Sequence, residues 1–282
     1  MGPLDVTKDY FILLKPRVIW LLIFASLAGY LYASLPHFSW AKLGELALVG
    51  LLSTGGSAAF NHYWERDIDA KMERTAQRPL ASGRLSPLPA LAYSVALSAL
   101  GLALSAVWFN ASVAICVAAG WFFYSIVYTV LLKRRHWSNI LIGGFAGNAA
   151  FLAGWLAAAP LALRAVLASF AVWVWIPSHI WSLAYVYRRD YREAGVPMLT
   201  AQVAEPLAVS IVSALDVAAA AYMLVLVALY KGFLSLVVMA PAAVLAIYLG
   251  LRALAERTDK AFWRVFKSSS PLLAVFFIAL LI

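Results

Sequence analysis

The chain has 282 residues, 64% of them hydrophobic and 12% charged, with a mean hydropathy of +0.85. A soluble domain carries about 25% charged residues, so this composition excludes an ordinary soluble fold and points to a polytopic membrane protein. The 22 Lys and Arg outnumber the 13 Asp and Glu, and this net +9 reads as basic membrane loops rather than as a nucleic-acid surface.

Hydropathy and punctuation predict nine membrane helices in chain order, near 18–35, 42–63, 87–108, 111–132, 139–159, 161–187, 204–229, 233–251 and 263–282. The first is long enough to span, and no small-residue cleavage site follows it, so it reads as a membrane helix and not a signal peptide. Ser86-Pro87 reads as an N-cap with proline at the first helical position, and Glu205-Pro206 opens the seventh span in the same way. Pro177 is expected to kink the sixth span, and Gly195 and Pro197 to break the chain after it. Arg252 to Lys267 is expected to be an amphipathic inner-surface loop. Cys116 lies in an apolar run; as the chain's one cysteine it forms no internal disulfide.

With the N-terminus in the cytoplasm, 19 of the 22 basic residues fall on the inner side and only Lys42, Arg164 and Lys231 on the outer. That bias supports an odd number of spans. The outer links are short, so the spans pair as antiparallel hairpins. The expected fold is all-α, one domain over residues 1–282: nine transmembrane helices bundled around a central cavity.

Two charged clusters interrupt this apolar pattern. The first, NHYWERDIDAKMERTAQRP, closes span two at residues 61–79. Asn61, Glu65 and Asp69 stand at i, i+4 and i+8, which on one helix keeps three oxygen-bearing side chains on one face. Hard oxygens in a row suit Mg²⁺, which binds a few carboxylates and completes its shell with water and phosphate oxygens. The blander reading is a solvated helix end with i,i+4 ion pairs. The second cluster closes span six, four helices later, with Asp190 and Glu193 beside Arg188, Arg189 and Arg192. The repeat suggests an internal duplication that turns two acidic patches toward one cavity, where Mg²⁺ and arginines would hold a diphosphate. A diphosphate so neutralised is a good leaving group, and a greasy bundle would house an isoprenoid tail.

Longer motifs surround these clusters: Asp9-Tyr10 with Leu14-Lys15-Pro16-Arg17, and Asn61 to Asp69 followed by Met72, Arg74-Thr75 and Arg78-Pro79. Further on come Tyr124, Tyr128-Thr129, Leu132 to Arg135 and Asn139-Ile140, then Gly143-Gly144, Ala146-Gly147 and Gly154-Trp155. The series ends with His179, Trp181 to Ala184, Asp190-Tyr191 and Ala194 to Leu199. This ordered series resembles the UbiA superfamily of intramembrane prenyltransferases, and within it the branch that farnesylates heme; the resemblance runs from about Asp9 to Leu199 and thins beyond.

The resemblance implies transfer of a farnesyl group from farnesyl diphosphate to a vinyl group of heme B, with water addition, to form heme O. It implies Mg²⁺ held by Asn61, Glu65, Asp69 and Asp190, with Glu193 as a further metal candidate. Lys15, Arg17, Arg74, Arg78, Lys133, Arg134, Arg189, His179 and Trp181 form the implied substrate-binding set, and Tyr124 and Tyr128 would line the cavity near the reacting carbon. The implied setting is the plasma membrane, with the active site facing the cytoplasm, the bilayer as solvent, a downstream heme A synthase as a candidate partner and no nucleic acid. The sequence departs from the superfamily at Glu65, where Asp is common, at the carboxylate-poor second motif beginning with His179, and at Asn148 to Phe151, where proline is expected.

Single residues keep two readings each. His179, inside a span, either ligates heme iron or bonds the carbonyl freed by Pro177. Asp216, deep in span seven, either faces the bundle interior protonated or paired, or takes a catalytic role, against which its distance from the cytoplasmic motifs counts. Gly143, Gly144 and Gly147 permit close helix contact or clear space for a flat macrocycle. Lys133 to Arg135 serves catalysis or anchors topology. Trp20 and Trp40 read as interfacial anchors. Two other functions compete: prenyl transfer to a quinone precursor or another aromatic ring, and transport through a charged gate. Transporters bind near the midplane, and these charges lie at one face.

Overall fold

The computed structural model describes residues 3–282 and, among them, is helical throughout its ordered elements. A short helix α1 (Pro3–Leu13) precedes α2 (Pro16–Ser34), α3 (Trp40–Trp64), α4 (Arg66–Asp69), α5 (Pro87–Trp108) and α6 (Ala111–Trp121). A π-helical segment (Phe122–Leu132) continues α6; then come α7 (Asn139–Gly143), α8 (Phe145–Leu156), α9 (Leu163–Val186), α10 (Arg188–Glu193) and α11 (Leu199–Gln202). Three long helices close the chain, α12 (Glu205–Tyr230), α13 (Phe233–Glu256) and α14 (Asp259–Leu281). Among the described residues, nine helical stretches are long and apolar enough to cross a membrane, matching the nine expected spans.

Neighbours in the bundle follow chain order: α2, α3, α5, α6, α8, α9, α12, α13 and α14, with α14 returning to α2 to close a ring. Helices α2 and α8 also pack tightly across the middle. They meet backbone to backbone: a methyl group on Gly154 would sit 1.7 Å from the Ser26 carbonyl oxygen, and one on Gly29 2.3 Å from that of Phe151. Glycine at both positions is what permits the crossing. The interior is therefore divided by this crossing, where the sequence suggested one central cavity.

Several local expectations are corrected. Ser86 makes no side-chain cap bond, although Pro87 does open α5; the functional caps are Ser39, Asn110 and Thr258, whose side chains accept backbone N–H groups. The helix α9 runs unbroken through Pro177. The stretch 252–267 is not a loop: α13 continues to Glu256 and α14 begins at Asp259, leaving Arg257 in a left-handed turn conformation (φ 52°) with Thr258 as the cap. Its charges ride on helix ends, where they do not interrupt backbone pairing. The expected break after span six is present, with Gly195 at φ 71°. Helix α1 was not expected; its residues Val6, Tyr10 and Leu13 pack with Ala59, Leu80, Leu85 and Ala90, and Asp9 bonds Arg84 at 2.9 Å.

Candidate active site

The first cluster is buried rather than solvated. Asn61, Glu65 and Asp69 are 1%, 1% and 3% exposed. They do not lie on one uninterrupted helix: α3 ends at Trp64, Glu65 is the junction (φ −97°, ψ 5°), and Asp69 closes α4. The i→i−4 backbone bonds from Glu65 to Asn61 and from Asp69 to Glu65 survive, so the three side chains still share a side.

Each of the three side chains in the row has a basic partner brought from elsewhere. Lys15 Nζ donates to Asn61 Oδ1. Asn61 Nδ2 donates to Glu65 Oε1 at 2.6 Å and to Thr129 Oγ1 at 3.0 Å. Lys133 Nζ pairs with Glu65 Oε2 at 2.5 Å, and Arg78 holds both Asp69 oxygens at 2.7 and 2.9 Å. Burial, and then the charge of Arg78, lower the Lys15 ammonium to about 7 against the opposing pull of Glu65. Burial also works against the Lys133 ammonium, but the adjoining Glu65 carboxylate outweighs it and holds the group above its usual range.

Local backbone geometry aims these groups. Lys15 sits in the left-handed region (φ 52°, ψ 56°) between α1 and Pro16, a conformation unfavourable to a side chain with a Cβ and held here by the surrounding contacts. In the π-helical segment, Thr129 Oγ1 reaches the carbonyl of Tyr124, five residues back, at 2.9 Å, and the Lys133 amide bonds the Tyr128 carbonyl in the same i→i−5 register. The wider turn places the Tyr124 and Tyr128 rings 5.5 Å apart and sends Lys133 onto Glu65.

The second cluster adjoins the first through Arg74. Its guanidinium lies 5.5 Å from the Tyr187 ring, and Nη2 reaches the Tyr191 hydroxyl at 3.4 Å, so it touches residues on either side of Asp190. Ile68 and Met72 pack in one core with Trp181, Tyr185, Tyr191 and Val196. Asp190 is half-buried at this junction. Other expected residues lie outside the cluster. Arg189 and Glu193 pair with each other at 2.7 Å on an exposed face, with side chains 87% and 61% exposed. Arg134 pairs with Asp67 at 2.6 Å, also near the surface. Trp181 is a core residue, 2% exposed, packed 6.4 Å from Trp137.

Two apolar cavities reach this end of the bundle, one on each side of the α2–α8 crossing. The narrower, about 90 Å³, starts at Lys15 and runs between α2, α3, α6 and α8 past Leu22, Ser53, Ser57 and Ala149. The wider, about 300 Å³, lies between α2, the π-helical segment, α7, α9 and α14, and is lined by Arg17, Tyr128, Gly143, Gly147, Trp175 and His179. Tyr124, Val18, Leu22 and Ala146 line both, so Tyr124 stands where the two meet. Gly143 and Gly147 line the wide cavity and also admit close neighbours: a methyl group would sit 2.7 Å from Tyr128 Cβ and 2.5 Å from Val172 Cγ1 respectively. Asp216 lines neither cavity; it is 1% exposed and faces Gly250 of α13. His179 does not bond the carbonyl freed by Pro177; its Nδ1 meets Ser269 of α14. Thr129 and Ser269 carry no role in the sequence reading; Thr129 is one motif residue among many, and the run Ser268 to Ser270 inside an apolar span was the available signal for the other.

Among the described residues, nine membrane helices in a ring hold a buried acid–base cluster at one end with an apolar cavity on each side, the architecture of an intramembrane enzyme. Residues 21–281 match the UbiA prenyltransferase family, and the chain belongs to that family. The protoheme IX farnesyltransferase of Pyrobaculum arsenaticum is 57% identical over 97% of this chain and 99% of its own length, which places the chain, as an enzyme, in that branch of the family. Solved structures share the fold: that of a digeranylgeranylglyceryl phosphate synthase has a TM-score of 0.78 at 20% identity, covering 98% of this chain and 99% of the other. A UbiA homologue from Archaeoglobus fulgidus, bound to GPP and Mg²⁺, has a TM-score of 0.70 at 16% identity, covering 97% and 99%.

Proposed function

We propose that the chain transfers the farnesyl group of farnesyl diphosphate to a vinyl group of heme B, with addition of water, releasing diphosphate and forming heme O. The observation that carries this reading is the pair of apolar cavities meeting at Tyr124 beside a buried cluster of three cations and two carboxylates. The narrow cavity, opening at Lys15, suits a linear isoprenoid whose diphosphate lies on the cluster. The wide cavity, with two glycines and a histidine in its wall, suits a flat macrocycle.

Asn61, Glu65, Asp69 and the half-buried Asp190 would hold Mg²⁺. The described residues bring no three Asp, Glu, His or Cys side chains together as a closed metal site, and a sparse oxygen set of this kind fits an ion that keeps water and phosphate oxygens in its shell. When bound, Mg²⁺ would neutralise diphosphate oxygens and improve the leaving group. Lys15, Lys133 and Arg78 present ammonium and guanidinium groups to the same oxygens, with Arg78 Nη1 shared between the two oxygens of Asp69. Tyr124 and Tyr128 offer ring faces where an allylic cation develops, and the apolar walls keep water from it before the acceptor does. Arg17 lines the acceptor cavity, and Arg74 reaches the Tyr191 hydroxyl of the second cluster. The charged end holds 19 of the 22 basic residues in the sequence count, which supports a cytoplasmic N-terminus and a cytoplasm-facing site in the plasma membrane.

The test is mass spectrometry of hemes after incubating purified protein with heme B, farnesyl diphosphate and Mg²⁺. Heme O is the expected product. Prenylation of quinone precursors alone, with heme B untouched, overturns the acceptor.

A further inference from the structure

One imidazole in the wall of the wide cavity is held on every side but one. His179 of α9 lies between the Trp175 ring, 4.4 Å away and 21° from parallel, and the Phe266 ring of α14, 4.6 Å away and 26° from parallel. Its Nδ1 is 2.6 Å from Ser269 Oγ. The same Ser269 oxygen lies 2.8 Å from the carbonyl of Phe266, which can only accept. The hydroxyl's single proton is committed there, so toward His179 the oxygen accepts. Nδ1 therefore carries the ring proton, and the lone pair of the neutral ring is on Nε2. No described residue bonds Nε2, and the residue lines the cavity. Ser269 also fixes one of the flanking rings, since Trp175 Nε1 donates to the Ser269 carbonyl at 2.8 Å.

We infer that Ser269 is a positioning residue: it sets the tautomer and orientation of His179 so that Nε2 ligates the iron of a porphyrin acceptor in the wide cavity. This inference rests on the heme reading above and adds to it the feature that selects the acceptor. A metal-bound histidine is typically oriented by a hydrogen bond from its other ring nitrogen, and here that bond is present before any metal arrives. The two flanking rings cover both faces of the imidazole and block its rotation, leaving only the Nε2 edge to offer. A ring acceptor without a metal gains nothing from this arrangement. A metalloporphyrin gains a directed bond that sets its position against Tyr124 and Tyr128, which line the same cavity.

The experiment titrates purified protein in detergent with ferric heme and, separately, with metal-free protoporphyrin IX, followed by absorption. The wild type is expected to bind heme at least roughly tenfold more tightly than protoporphyrin IX, with a nitrogen-ligated Soret band. His179→Ala should bring heme affinity down to that of protoporphyrin IX, and added imidazole should restore the ligated spectrum. Ser269→Ala should weaken heme binding roughly tenfold to a hundredfold and leave protoporphyrin IX binding unchanged, whereas Ser269→Thr, which keeps the hydroxyl, should bind heme like the wild type. Equal wild-type affinity for the two porphyrins, or an unaltered heme spectrum in His179→Ala, overturns the ligation and leaves the heme reading standing. Equal weakening of both porphyrins by Ser269→Ala overturns the positioning role. Failure of both porphyrins to bind the wild type overturns the heme reading and the inference together.

Discussion

Asp69→Asn probes the cluster where its geometry is most demanding. The Asp69 side chain is 5% exposed, and both of its oxygens accept from Arg78 Nη1, at 2.7 and 2.9 Å. An amide in its place keeps one acceptor and turns an N–H₂ group toward the guanidinium. Losing one partner of a buried pair costs about 3–5 kcal/mol; the Arg78 side chain is 23% exposed, so water relieves part of this and the lower figure, about 3 kcal/mol, applies. For turnover, the variant loses one strong electrostatic group at the site of charge development, worth roughly two orders of magnitude in kcat. The assay is prenyl transfer in detergent at saturating Mg²⁺, with thermal unfolding measured alongside. Arg78→Lys separates the two effects: it retains the charge but replaces the planar guanidinium, whose Nη1 serves both oxygens, with an ammonium, and should unfold at a temperature closer to wild type while still losing activity. Wild-type turnover in Asp69→Asn would remove diphosphate ionisation at this cluster from the mechanism.

Thr129→Val removes a hydroxyl that accepts from Asn61 and donates to the Tyr124 carbonyl; it should lower stability by about 1–3 kcal/mol, read as a drop in melting temperature, and an unchanged melt would mean the bridge contributes nothing. Gly154→Ala puts a methyl group 1.7 Å from the Ser26 carbonyl, so α2 and α8 must separate; the expected destabilisation is about 3 kcal/mol, and a wild-type melting curve would refute the close crossing. Because Lys15, Lys133 and Arg78 hold the oxygens of Asn61, Glu65 and Asp69, Mg²⁺ alone should bind weakly and inorganic pyrophosphate should tighten it; calorimetry showing the same Mg²⁺ affinity with and without pyrophosphate contradicts this. Glu193→Ala breaks only an exposed i,i+4 pair with Arg189 and should leave turnover and melting temperature at wild-type values, and a large activity loss would return Glu193 to the metal site.

The spans were legible because a bilayer demands long apolar helices, and composition reports that demand directly. Helix α1 escaped because it is short and carries Asp5, Lys8 and Asp9, so it raises no hydropathy signal and forms by packing on α3 and the loop after α4. The π-helical register over residues 122–132 has no compositional mark; it is visible only in the backbone, as where the Lys133 amide bonds the Tyr128 carbonyl five residues back. In the site, the spacing of Asn61, Glu65 and Asp69 was readable, but not their partners: Lys133 lies 68 residues from Glu65 and meets it only through the fold. The surface pairing of Glu193 was equally hidden, because a charge run reads the same whether it faces a cavity or solvent. Ser269 stands 90 residues from His179, and no periodicity could join them.

The charge balance of the cluster favours an anion-handling enzyme over a gate. Three cations, Lys15, Arg78 and Lys133, surround two buried carboxylates, Glu65 and Asp69, at one end of the bundle. With Lys15 protonated, positive charge is in excess among these five groups, and burial first, then the charge of Arg78, lowers the Lys15 ammonium to about 7. A transport gate built from matched pairs would carry no such excess. On the proposed reading, a diphosphate would supply the missing negative charge and draw the three cations to itself. On the same reading, the oxygens of Asn61, Glu65 and Asp69, released by Lys15, Lys133 and Arg78, would hold the divalent ion that neutralises the diphosphate. The cations and carboxylates thus need not compete for the ligand. Each set is held by the other in this structure; on the proposed reading the substrate would replace both contacts, with the apolar cavities on either side suited to hydrocarbon behind the charged headgroup.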